Sequence, residues 1–142
     1  MRSYLVLRVV AKLLMPFILV FALYVQFHGD YGPGGGFQAG VIFASGFILY
    51  SLIFGIQAAG AVMSRGILRF ATAMGLLLYA GVGFYTMLLG GNYLEYDVIA
   101  ADPTKGQHIG ILVIEAGVGI TVASVMIAIF FTFAGRRKAD QA

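Results

Sequence analysis

Two parts of this sequence carry residue types that could do chemistry: Glu115, and the run His28-Gly29-Asp30-Tyr31-Gly32-Pro33-Gly34-Gly35-Gly36-Phe37. Glu115 is a single carboxylate among Ile111, Leu112, Val118 and Val122. In an apolar helix such a group is costly unless it faces the bundle interior, pairs or keeps its proton, and intramembrane acids are by default candidates for ion or proton handling. The alternative is a structural acid hydrogen-bonded to a neighbouring helix. The glycine run has five glycines in ten residues, which frees the backbone for conformations that side chains forbid. Pro33 stops the incoming chain from continuing as helix. A plain turn between helices needs far less. The loop therefore either presses against a neighbouring subunit or dips below the membrane surface. Irregular backbone can do the latter only where it is buried in protein or lines a watery cavity. The helix that follows would then begin with its unpaired amide N–H groups pointing at the outer vestibule.

Other chemistries are excluded around the same residues. A phosphate-binding loop requires Lys-Ser or Lys-Thr after its last glycine, and here Phe37-Gln38 follows. His28 and Asp30 are too few for a dedicated metal site. With no cysteine there is no disulfide framework, thiolate site or thiol nucleophile. No catalytic residue and no cofactor are expected.

The elements that position these residues follow from composition. Of 142 residues, 61% are hydrophobic and 11% charged, against about 45–50% and about 25% in soluble domains. Lipid is the solvent that fits. A hydrocarbon core ~30 Å thick needs about 20 mostly apolar residues per helix. Four stretches qualify, at about 5–27, 37–62, 67–89 and 109–133. The alternating ten-residue pattern of a β-barrel is missing. The expected fold is all-α: one polytopic membrane domain over 1–142 with four transmembrane helices. Short connections predict consecutive helices as antiparallel neighbours in one bundle. The first stretch is expected to stay as an anchor, since Val25 and Phe27 occupy the positions a signal-peptide cleavage site would need small.

Charge gives the orientation. Eight of the nine Lys and Arg lie on the N-terminal side, in the second loop or in the tail; the other two loops hold only Lys105. Both termini are predicted to be cytoplasmic. Asp30, Glu95, Asp97 and Asp102 then lie outside, where the Asn92–Asp97 stretch, with its tyrosines, serves as an interfacial anchor. Lys12 must either snorkel to the cytoplasmic headgroups or point into the bundle. The net charge of +3 is topology, with no dense basic stripe for nucleic acid. Small residues recur four apart at Gly36, Gly40 and Ala44; Gly55 and Ala59; Ala71 and Gly75; Gly106 and Gly110; Gly119 and Ala123, with Gly81 and Gly83 besides. They predict close helix packing, in excess of what four helices need for themselves, and so partner subunits.

Leu14-Met15-Pro16-Phe17-Ile18, Leu23-Tyr24-Val25, and His28-Gly29 followed by Pro33-Gly34-Gly35-Gly36-Phe37-Gln38-Ala39-Gly40 resemble the B subunit of Mrp-type multisubunit sodium/proton antiporters. His108-Ile109-Gly110-Ile111 and Glu115 with Gly117-Val118-Gly119 are similar to that family's fourth helix. Asp30-Tyr31-Gly32 stands where the family more usually has a linker containing His-Asn. The resemblance implies a non-catalytic subunit in the cytoplasmic membrane of a prokaryote. It would assemble with other antiporter subunits that exchange internal sodium for external protons. Within such a complex it would help to form or support the cation path. Glu115, His28, Asp30, Lys12 and His108 are the ion-pathway candidates, with Pro33, Gly34, Gly35, Gly36 and Phe37 as the loop and helix start. The alternatives are the equivalent subunit of a redox-driven complex such as a membrane-bound hydrogenase, and a purely structural adapter.

Overall fold

The first helix, α1 (Arg2–His28), runs unbroken through Pro16. The lost backbone hydrogen bond there is tolerated in a long apolar helix. The structure is a computed structural model that describes residues 2–29 and 32–139, with side chains for 5–29 and 32–135. Asp30 lies outside the described residues. After the glycine loop come α2 (Gly36–Phe54), α3 (Ile56–Val62), α4 (Arg65–Leu88), a 3-10 helix at Tyr96–Ile99 and α5 (Pro103–Ala139). No strand occurs among the described residues. Four helices are long and apolar enough to cross a membrane, at Leu5–His28, Gly36–Phe54, Arg65–Leu88 and Pro103–Gly135. The chain is the expected all-α, four-span, multi-pass membrane protein.

Boundaries differ from the sequence expectation at the middle of the second stretch and at both ends of the last, which runs to Ala139 and not 133. The stretch 37–62 is not one helix. Gly55 breaks it with φ 93°, ψ 152°, a left-handed conformation that L side chains rarely adopt. Its N–H donates to Ser51 O at 3.0 Å, and its carbonyl accepts from Ala59 N at 3.1 Å. The short α3 then packs Ala59 into a buried cluster with Ala44, Leu68, Ile127 and Phe131. Ser64 caps α4, its hydroxyl accepting from Ile67 N at 3.3 Å. The last helix begins at Pro103, six residues before the expected 109. Proline is favoured at a helix's first position, and Asp102 accepts from Thr104 N at 3.1 Å through Oδ1.

The break at Gly55 alters the arrangement. In space the long helices run α1, α2, α5, α4, so that α5 lies between α2 and α4. The expectation that α2 and α4 are neighbours fails, because α3 carries the chain past α5 before α4 begins. The glycines make the resulting close contacts. At the α2–α5 crossing a Cβ on Gly40 would stand 2.7 Å from Gly119 O, and at the α4–α5 crossing one on Gly117 would stand 2.8 Å from Gly75 O. Gly106 and Gly110 are covered by Tyr96, and Gly83 by the ring of Tyr93. Most of the small-residue faces are therefore filled within the chain. Gly60 and Gly81 have open space around them, and α1 exposes large apolar side chains from Leu5 to Phe27.

The segment between α4 and α5 is stitched to itself. The fully buried Thr86 hydroxyl lies 2.9 Å from Gly83 O and 3.0 Å from Asn92 O, and it accepts from Leu94 N at 3.1 Å. Glu95 Oε2 accepts from the backbone and side-chain nitrogens of Asn92 at 2.6 and 2.9 Å. Asp97 Oδ1 accepts from Gln107 Nε2. Three of the four acids assigned to the outside thus have partners within this segment or in the first turns of α5.

Candidate functional site

Glu115 is half-buried on α5, and the glycine run is folded around its carboxylate. A Cβ at Gly29 would stand 2.8 Å from Oε2, and one at Gly35 would stand 2.9 Å from Oε1. A Cβ at Gly36 would collide with the Glu115 carbonyl oxygen and lie 3.0 Å from its Cα. The local sequence explains this approach. The backbone folds back over the end of α1, where Gly35 N donates to Val25 O at 3.4 Å and a Cβ at Gly34 would stand 2.8 Å from the same oxygen. Gly35, just before α2, holds φ 125°, which makes glycine the fitting residue there. Four consecutive small or φ-restricted residues, Pro33 to Gly36, thus bring the start of α2 onto the backbone of α5.

The other predicted residues fall around this centre or away from it. His28 stacks on Tyr24, with ring centroids 5.1 Å apart at 16°, and its Nε2 would be 3.2 Å from a Cβ at Gly32. It is the last residue of α1 and lies against the loop at Gly32. Phe37 is exposed. His108 is exposed and seven residues before Glu115, about 10 Å along the axis. Lys12 lies sixteen residues before His28 on α1, about 24 Å along the axis, with its Nζ 5.6 Å from the centroid of the Phe54 ring, a cation–π contact. Of the expected pathway group, the structure brings Glu115 together with the glycine loop and leaves Lys12 apart.

Two residues of the site were not singled out by the sequence reading. Gly29 was read only as part of the loop, yet it flanks the carboxylate as Gly35 does. Gln26 was not considered. Its Oε1 would be 2.7 Å from a Cβ on Gly119, one turn along α5 from Glu115, and its Nε2 is buried with no hydrogen-bond partner among the described residues. The side chain lines a cavity of ≈ 440 Å³ between α1, α2, α4 and α5, whose lining apart from Gln26 and Ser124 is apolar, as at Ala22, Phe43, Ala71 and Ile127. An uncharged amide inside an apolar helix was the available signal.

Chemically, the surroundings of Glu115 are rich in oxygen. Its carboxylate and Gln38 Oε1 lie beside Gly35, Val25 O beside Gly34, and Gly36 O and Gln26 Oε1 beside Gly119. Val25 is among the last four residues of α1, whose carbonyls lack partners within the helix, and helix C-terminal ends are one ligand type with which membrane transporters hold sodium or protons. No group of three or more His, Cys, Asp or Glu suited to a metal ion occurs among the described residues. Outside the spans, burial and the neighbouring Tyr79 and Tyr93 push the Tyr96 hydroxyl above its ordinary pKa.

Comparison with known proteins agrees with this architecture. The family described as "Domain related to MnhB subunit of Na+/H+ antiporter" matches residues 6–128. Two curated relatives from Staphylococcus aureus, strains Newman and COL, are each named "Putative antiporter subunit mnhB2". Each is 32% identical over 136 residues, covering 94% of this chain and 96% of the relative. The chain belongs to the family related to the MnhB subunit of Na+/H+ antiporters.

Proposed function

We propose that the chain is a non-catalytic membrane subunit of a multisubunit Na+/H+ antiporter, in which Glu115 and the surrounding glycine loop border the cation or proton route. The observation that carries this reading is the enclosure of the Glu115 carboxylate by Gly29 and Gly35 at the start of α2. A carboxylate needed only for helix packing has no use for backbone cleared on both sides of its oxygens. Gln26 extends the polar surroundings one turn further, towards the cavity. Antiporter-subunit names among the relatives favour this over the equivalent subunit of a redox-driven complex.

The chain has too few ionisable groups inside its spans for a complete path across ~30 Å, so the remaining sites belong to other antiporter subunits. Following the distribution of Lys and Arg, both termini face the cytoplasm and the loop lies on the outer side of a prokaryotic cytoplasmic membrane. The transported ions are Na+ and H+.

The test is Glu115→Gln in the whole complex, assayed in everted vesicles for sodium-dependent proton exchange. Loss of exchange with normal complex assembly supports the reading. Unchanged exchange at normal assembly removes Glu115 from the path and leaves the chain a structural adapter.

A further inference from the structure

Between α4 and α5, at the end of the bundle that carries Arg65 and Lys12, lies an open groove of ≈ 1000 Å³. Arg65 and Arg69 stand at its mouth, four residues apart and so on one face of α4. Below them the walls are apolar, with Leu76 on one side and Val125, Ile129 and Phe133 on the other. The two hydroxyls in the wall are already used, since Thr72 donates to Leu68 O at 2.9 Å and Thr132 to Ala128 O at 2.8 Å. Neither arginine has an ion-pair partner among the described residues. From Arg65 to Leu76 the groove follows α4 for about 16 Å. That is half of a hydrocarbon core ~30 Å thick, the depth of one leaflet.

We propose that this groove is a binding site for one anionic phospholipid, with its phosphate on Arg65 and Arg69 and an acyl chain along Leu76, Ile129 and Phe133. Two clustered cations above an apolar trough one leaflet deep complement such a lipid in charge and in length, and basic pockets between membrane helices bind anionic headgroups. A zwitterionic lipid meets the same trough without the net charge. In sequence, the basic Arg136, Arg137 and Lys138 follow Gly135, which lines the groove.

The test is native mass spectrometry of the full-length chain released from nanodiscs of phosphatidylcholine and phosphatidylglycerol in equal parts. Wild type is expected to retain phosphatidylglycerol preferentially. Removal of each arginine should cut that preference about fivefold, in line with the attraction of one basic side chain to an anionic surface. R65K/R69K should keep most of it, and Arg8→Gln on α1 should leave it unchanged. Wild-type preference in R65Q/R69Q, or an equal loss in Arg8→Gln, overturns the proposal. In native membranes, a photoactivatable residue in place of Ile129 should capture labelled phosphatidylglycerol. Capture of another antiporter subunit at that position would overturn it instead.

Discussion

The Cα of Glu115 lies 3.0 Å from the place where a Cβ on Gly36 would stand, so α2 begins in direct contact with the backbone of α5. The obstacle to any larger residue at position 36 is main chain, which cannot swing aside as a flexible side chain can. Gly36→Ala must therefore push two helices apart, at a cost of about 1–3 kcal/mol for overpacking. Gly81→Ala, in open space on α4, should be neutral or stabilising by up to about 1 kcal/mol through helix propensity. Thermal melting of the two purified variants beside wild type measures the contrast.

Gln26→Leu removes a buried amide whose nitrogen lacks a described partner. Stability should hold or rise, since an unsatisfied buried polar group costs about 1–3 kcal/mol. Exchange activity should fall if the amide belongs to the polar surroundings of Glu115. Melting temperature and exchange in everted vesicles, measured on the same preparation, should therefore move in opposite directions. Exchange at the wild-type level would confine Gln26 to packing.

Gly55→Ala places a Cβ at φ 93° with no neighbour within 4 Å. Its effect is conformational strain alone, about 1 kcal/mol or somewhat more. Gly60→Ala, five residues on in α3 and equally uncrowded, should cost nothing. Comparing the urea midpoints of the two variants isolates the turn from the packing.

Thr86→Val keeps the shape of a fully buried side chain but strips the hydroxyl that Leu94 N and Asn92 O share. The loss should be about 1–3 kcal/mol. Limited proteolysis should show faster cleavage between residues 89 and 102, while the long helices persist by circular dichroism.

Alkaline pH should loosen the same segment. The Tyr96 pKa is raised above 10.0 by burial and by Tyr79 and Tyr93. The folded chain therefore keeps a proton that the unfolded chain gives up as pH rises past 10, and stability falls with pH from there upwards. Tyr96→Phe should remove this part of the decline. Melting temperature followed from pH 9 to 11 is the measurement.

What the sequence made legible had strong local contrast. Glu115 stood out as a charge among aliphatic residues and the glycine run as a composition outlier, and the structure joins the two. Four spans were readable because length and hydropathy suffice for them. The break at Gly55 was not, since a glycine in an apolar run looks the same whether it lies within a helix or turns the chain at positive φ. The spatial order of helices depended on that break and was lost with it. The start of α5 was missed although Asp102-Pro103 is a cap followed by a first-turn proline, because the apolar run itself begins only at Ile109. Gln26 escaped notice because an amide barely disturbs a hydropathy average.

Position in the bundle also sets a temporal order. The chain is made from its N-terminus, so α2 and α4 enter the membrane before the helix that separates them in space. The last long helix must then slot between two that are already there. Until it does, Gly29, Gly35 and Gly36 surround nothing. The enclosure of Glu115 is thus the final part of this protein to exist, and a chain arrested before α5 can hold lipid-facing helices yet no carboxylate for its glycines to enclose.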